Sequence, residues 1–269
     1  MNANDIIKGN PIIMGILNIT PDSFYESSRS LEFDAFNKNF NKVINADIID
    51  IGAESTRPSS KPLTEDEELK RLDIVFDNID LFNNKILSID TYRPVVAKKA
   101  LMNGFSIIND IFGGKDEEML LLASELNAKI VLMHIKGNPK TMQEDVFYED
   151  IIDDIMSYFD SRINRAIKLG VKKNNIIIDP GIGFGKSLSD NYKIINNINK
   201  FKQIGFDVMV GLSRKSFLSI DNDNPSDRLV ATVVGNAIAL LNGADIIRVH
   251  DVEEHIILGN ILNRFNLRI

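Results

Sequence analysis

The sequence predicts a single-domain α/β protein, residues 1–269, built on the (β/α)8 barrel plan. Three observations carry this. Short apolar runs alternate with amphipathic stretches eight times. No Gly-, Pro- or Ser-rich linker and no block of like charge divides the chain. The first run ends Gly15-Ile16-Leu17-Asn18, without the G-x-G-x-x-G turn of a doubly wound dinucleotide-binding sheet. Periodicity alone leaves that open sheet standing beside the barrel. Eight units within about 250 residues favour the barrel.

The runs fall at 12–16, 48–52, 86–89, 106–108, 130–133, 176–178, 208–211 and 246–249. They are short, continuous and β-branched, as parallel strands buried on both faces should be. Between the first and second, Phe33, Phe36, Phe40 and Ile44 share one helical face. Leu69, Leu72, Phe76 and Ile79 do so before the third, and Ile152, Ile155, Phe159 and Ile163 before the sixth. Thr64 and Glu67 have capping-box spacing, and Pro94 suits a first helical turn. Gly104, Gly170 and Gly205 sit where helices should stop. The acidic stretch 65–68 reads as a solvated helix start favoured by the dipole.

Composition narrows the function. Lys and Arg number 31 against 38 Asp and Glu, a net charge of −7. Such a chain gains nothing from counterion release on nucleic acid and is repelled by an anionic membrane. With no cysteine, disulfides, thiolate zinc sites, iron–sulfur clusters and cysteine nucleophiles are excluded. Of the three histidines, His250 and His255 lie too close in sequence to suit a three-histidine metal centre with His134. No apolar stretch reaches the ~18 residues of a membrane span. Residues 1–10 lack the apolar core of a signal peptide, so a cytoplasmic protein is expected.

In a parallel barrel the carboxyl ends of all strands share one rim, and the chemistry sits there. Every predicted strand is followed by specific polar groups. These are Asn18 and Thr20, then Glu54 to Arg57, Asp90, Asn109 and Asp110, His134, Asp179, Ser213 to Lys215, and finally Arg248, His250 and Asp251. Loops are polar anyway, but that explains two or three such ends better than eight. Asp90 and Asp179 directly follow apolar runs, so each should be partly buried and must meet a cation or several donors. The partner is either a neighbouring Arg or Lys or a ligand edge with two parallel N–H groups. Arg57, Lys215, Arg248 and His250 supply positive charge for a phosphate or diphosphate. Asn18 adds an oxygen of the kind Mg²⁺ uses when phosphates hold most of it. The site thus reads as a polar heterocycle held deep, with a phosphate group nearer the mouth.

Gly181-Ile182-Gly183-Phe184-Gly185-Lys186 invites a phosphate-loop reading but lacks the G-x-x-x-x-G-K-[ST] spacing. It reads better as a tight rim loop that lets backbone approach a flat ligand. His134 reads as a polar strand cap and His255 as a surface or packing residue. Glu54 either orients the second loop or pairs with a nearby base.

Eight segments, in order, resemble dihydropteroate synthases. The first two are Met14-Gly15-Ile16-Leu17-Asn18-Ile19-Thr20-Pro21-Asp22-Ser23-Phe24 and Asp50-Ile51-Gly52-Ala53-Glu54-Ser55-Thr56-Arg57-Pro58. Ser88-Ile89-Asp90-Thr91, Ile108-Asn109-Asp110 and Leu132-Met133-His134 follow. The last three are Asp179-Pro180-Gly181-Ile182-Gly183-Phe184, Gly211-Leu212-Ser213-Arg214-Lys215-Ser216 and Arg248-Val249-His250-Asp251. The resemblance implies a TIM barrel, usually a homodimer. It implies an Mg²⁺-dependent transferase joining 6-hydroxymethyl-7,8-dihydropterin diphosphate to 4-aminobenzoate, with sulfonamides competing for the aminobenzoate place.

Carried over by position, Asp179 and Asn109 would bind the pterin ring, flanked by Met133 and Phe184. Lys215 would bridge pterin and aminobenzoate, and Asp90 would favour positive charge beside the pterin. Arg248, His250 and Thr56 would hold the diphosphate, and Asn18 would ligate Mg²⁺. Phe24, Pro58 and Ser216 would form the aminobenzoate pocket, with Arg57 acting when the loops close. One departure stands out: where the family often has Ser-Asp-Gly-Gly after Ser-Phe, this chain has Tyr25-Glu26-Ser27-Ser28, which narrows the backbone freedom there. Rival readings are the pterin domain of a methyltetrahydrofolate-dependent methyltransferase, a non-catalytic pterin-binding module, and an aldolase with Lys215 as Schiff base.

Overall fold

The computed structural model describes residues 11–19, 29–54, 62–137, 146–220 and 224–267. Eight parallel strands close into a barrel in sequence order: β1 Ile12–Asn18, β2 Ile48–Gly52, β3 Ile86–Asp90, β4 Ile107–Asp110, β5 Lys129–Met133, β6 Ile176–Asp179, β7 Asp207–Val210 and β8 Ile246–Val249. Closure comes from β8 pairing back onto β1, with Ile12 opposite Ile246 and Met14 opposite Arg248. The predicted strands are all present. β3 and β6 run one residue further than expected and β4 two, so Asp90, Asp179 and Asp110 belong to the strands themselves.

The helices lie outside the strands: α1 Arg29–Phe40, α2 Glu65–Phe76, α3 Pro94–Met102, α4 Glu117–Glu125, α5 Ile151–Lys168, α6 Leu188–Asn196, α7 Ile198–Lys202, α8 Leu229–Leu241 and α9 Val252–Arg264. The capping box forms, with Thr64 N–H donating to Glu67 Oε2 at 2.7 Å. Pro94 opens α3. Gly104, Gly170 and Gly205 take φ of +94°, +95° and +94° just past helix ends, where a side chain would be strained. Two expected helical positions fall outside. Ile44 lies beyond α1, and Ile79 opens a separate 3₁₀ turn. Among the described residues, no helix is long and apolar enough to cross a membrane.

Side chains alternate along a strand, so each strand offers every second residue to the barrel interior. Met14, Ile48, Ile86, Ile107, Val131, Ile177, Met209 and Ile246, one per strand, pack into a closed apolar floor. The opposite strand faces join the helices in a second, larger core. Two residues further along the chain, within seven strands and just past the end of β7, comes the next inward layer. It consists of Ile16, Asp50, Ser88, Asn109, Met133, Asp179, Gly211 and Arg248. The barrel is therefore dry below and polar above, and the polarity begins in one step of the pleat.

Candidate active site

Four strands meet in one ion-pair network. Arg248 on β8 donates from Nε to Asp50 Oδ2 at 2.6 Å and from Nη2 to Asp90 Oδ2 at 2.5 Å. Asn109 on β4 donates to the same Asp50 Oδ2 at 2.9 Å. Burial pushes the Asp90 carboxyl up, and Arg248 pulls against that. Asp50 Oδ1 is buried without a hydrogen-bond partner among the described residues. Of the alternatives for Asp90, the structure thus forms the ion pair.

Across the mouth, Asp179 ends β6. Its Oδ1 accepts from Gly181 N–H at 2.7 Å, and burial raises its carboxyl above the ordinary carboxylate range. Lys215 reaches the carbonyl of Ile182 and lies 4.4 Å from the centre of the Phe184 ring, a cation–π contact. Burial and the Arg248 charge bring the Lys215 ammonium down to about 8, against the attraction of Asp179. Arg214 has no part in this. It sits in the left-handed region at φ +58°, and its guanidinium turns away to Asp251 at 2.5 and 2.9 Å.

The loop after β6 is held tightly. Gly181 at φ +66° brings its backbone against His134, so that an added Cβ would lie 1.9 Å from the His134 carbonyl oxygen. Gly183 at φ +83° leaves room for Lys215, whose Cδ would lie 2.9 Å from a Cβ there. Asn191 accepts from Gly183 N–H at 2.6 Å, and Tyr148 donates to the Gly185 carbonyl at 2.8 Å. This is the expected tight loop, with Met133 buried beside it and Phe184 half-buried.

The sequence profile of the pterin binding enzyme family matches residues 14–250. The chain belongs to the pterin-binding enzyme family. A dihydropteroate synthase from Haemophilus influenzae is 40% identical over 245 residues, covering 90% of this chain and 89% of that one. A crystal structure of dihydropteroate synthase from Clostridium difficile in the presence of pteroic acid superposes with a TM-score of 0.88 at 33% identity, covering 96% of this chain and 98% of that one. That from Xanthomonas albilineans with 4-aminobenzoic acid gives 0.88 at 31% identity, covering 96% and 93%.

In this pterin-binding enzyme the barrel end gathers Asp90, Asn109, Met133, Asp179, Phe184, Lys215 and Arg248, all named from sequence. His250 joins them at the end of β8, its Nδ1 2.9 Å from Ser213 Oγ. Ser216 is exposed at the start of the 3₁₀ turn Ser216–Leu218, and Asn18 is exposed at the end of β1. Phe24, Thr56, Arg57 and Pro58 lie outside the described residues.

Other side chains change their reading. Glu54 pairs with Arg93 at 2.6 Å and accepts from Tyr92 at 3.1 Å. Glu68, expected in solvent, is 1% exposed and also pairs with Arg93. Asp110 spends both oxygens on the turn after β4, accepting from Phe112 and Gly114 N–H at 2.8 and 2.7 Å. His255 is fully buried, with Nε2 2.8 Å from Asn236 Nδ2. Sequence reasoning assigns no role to two residues at this end of the barrel. Asp50 is signalled by a lone charge inside an apolar run, and Lys186 by a lysine closing a glycine loop that lacks the G-x-x-x-x-G-K-[ST] spacing.

Proposed function

We infer that the chain is a dihydropteroate synthase: it joins 6-hydroxymethyl-7,8-dihydropterin diphosphate to 4-aminobenzoate and releases diphosphate. One observation carries this reading. Asp90, Asn109, Asp179, Lys215 and Arg248 come from different strands or strand ends yet converge at one end of the barrel. Family membership and relatives crystallised with pteroic acid and 4-aminobenzoic acid supply the substrate class.

Asp179 and Asn109 take the polar edge of the pterin, with Met133 and Phe184 on its faces and Lys215 between pterin and acceptor. Arg248, His250 and Thr56 hold the diphosphate. Phe24, Pro58 and Ser216 receive the aminobenzoate, and Arg57 acts beside them. An aromatic amine is a poor nucleophile, so the site's work is to stabilise separated charge rather than to activate a base. The carbon–oxygen bond to diphosphate breaks first, Asp90 stabilises the positive methylene that remains, and the amine nitrogen then bonds to it and loses its proton. This dissociative course fails if diphosphate release, or oxygen-isotope scrambling within the substrate, requires bound aminobenzoate.

Among the described residues no group of three His, Asp or Glu could hold a metal unaided. A lone exposed amide oxygen at Asn18 fits an ion carried mainly by substrate phosphates. Mg²⁺ bound there with the diphosphate would supply charge neutralisation for the leaving group. The chain works as one domain, 1–269, in a cytoplasmic homodimer, and sulfonamides compete at the acceptor place. The decisive experiment is diphosphate release on mixing both substrates, with and without Mg²⁺. Turnover needing both substrates supports the assignment. Methyl transfer, a borohydride-trapped Lys215, or binding without turnover would each replace it.

A further inference from the structure

Lys186 is 3% exposed, and all three ammonium protons face neutral acceptors. They are Phe184 O at 2.9 Å, His134 Nδ1 at 3.0 Å and His134 O at 3.2 Å. Its charge is balanced at longer range by Asp179 and Asp190 and opposed by Lys215. His134 is tied in turn to the strand that carries Asp179, its N–H donating to the Asp179 carbonyl at 2.9 Å.

A neutral donor such as glutamine would satisfy two carbonyls at far lower desolvation cost. Burying an ammonium that meets no carboxylate directly is costly. A lysine stands here nonetheless, behind the carboxylate assigned to the pterin, where its charge acts on that carboxylate together with Lys215. We propose that Lys186 is a positioning residue for the pterin. It fixes the Phe184 carbonyl against His134, and its charge keeps Asp179 ionised to accept the ring's N–H groups.

Burial and Lys215 bring the Lys186 ammonium down to about 7, so its charge is present below neutral pH, while burial holds the Asp179 carboxyl above its ordinary value. The groups facing Lys186 are His134 just past β5, Asp179 at the end of β6, Lys215 after β7 and Asp190 on α6. His134 stays neutral there, because burial and the lysine beside it bring its imidazole down to about 3.

The inference rests on Asp179 binding the ring, so its test carries an Asp179→Asn control. Lys186→Gln keeps a donor and loses the charge; Lys186→Met loses both. Thermal melts confirm that each variant is folded. Binding of free 6-hydroxymethylpterin by calorimetry, and kcat and KM across pH, are then compared with the parent. Both variants should raise the pterin KM about tenfold with kcat within about twofold. Both should move the acid limb of pterin binding upward by roughly one pH unit, because Asp179 loses a supporting cation. If only one of them folds, it carries the test alone. Unchanged affinity and an unmoved limb in a folded variant, whatever its melting temperature, overturn the inference. If Asp179→Asn abolishes ring binding while the lysine variants behave as the parent, this inference alone fails. If Asp179→Asn binds normally, the pterin assignment itself fails.

Discussion

Arg248 and Asp90 meet at 2.5 Å across the barrel interior, from β8 to β3. Asp50, also on Arg248 at 2.6 Å, makes the group two carboxylates on one guanidinium. The cation assigned to the diphosphate and the anion assigned to the pterin are thus parts of one unit. Removing the cation strands buried negative charge. Arg248→Met should cost about 3–5 kcal/mol of stability in urea unfolding. Adding Asp50→Asn should restore part of that loss while leaving the KM for the dihydropterin diphosphate raised. If the double variant is no more stable than the single one, Asp50 and Arg248 are not energetically coupled.

The strands are legible because a parallel strand buried on both faces has no polar alternation to blur it, and all eight stand out as apolar runs. The polar residues at their ends are legible too, since Asp90 and Asp179 interrupt apolar runs abruptly. Asp50 escapes notice because it lies within a run rather than at its end, although a lone charge in an apolar run is itself a signal. Its meaning comes from the pleat: two positions above Ile48, it enters the layer just over the apolar floor. Glu68 reads as solvated because helix starts favour acids. Its burial depends on Arg93, which is 25 residues away and has no local signal.

The buried imidazole of His134 gives a pH signature. Its affinity for a proton falls from the ordinary 6.5 to about 3, through burial and the adjacent Lys186. Between those values the unfolded chain binds a proton that the folded chain refuses, so this residue's contribution is lost as pH falls. Buried carboxylates such as Asp110, raised to about 6, act in the opposite sense, so the measurement must be a difference. His134→Gln should lose stability less steeply than the parent from pH 6.5 to 4, read from urea midpoints. Parallel curves would place the proton elsewhere.

Two glycines separate strain from collision. Both Gly181 and Gly205 hold positive φ, +66° and +94°. A Cβ at Gly205 meets nothing within 4 Å, whereas one at Gly181 would lie 1.9 Å from a backbone oxygen. Gly205→Ala should therefore cost about 1–2 kcal/mol of backbone strain alone, with activity intact. Gly181→Ala must displace the loop or His134, so it should cost more and also weaken pterin binding. Equal melting temperatures for the two variants would contradict the close approach of Gly181 to His134.

Arg93, the residue before α3, holds four partners near the rim. It binds Glu54 at 2.6 Å, the Leu63 carbonyl at 2.5 Å, the Tyr92 hydroxyl at 2.9 Å, and Glu68. Glu54 immediately precedes, and Leu63 closely follows, the segment 55–61 that carries Thr56, Arg57 and Pro58. One guanidinium therefore ties both ends of that segment to the start of α3. Arg93→Met removes five-donor geometry that no shorter cation reproduces. It leaves Glu54 and Glu68 close together without their shared counter-charge, a destabilisation of about 2–4 kcal/mol. Because Thr56, Arg57 and Pro58 are assigned to the diphosphate and the acceptor, 4-aminobenzoate KM should rise while binding of the free pterin ring is kept. Steady-state kinetics with each substrate varied, alongside calorimetry with 6-hydroxymethylpterin, make that comparison. Equal weakening of ring and acceptor would show that the Arg93 cluster supports the whole rim rather than one loop.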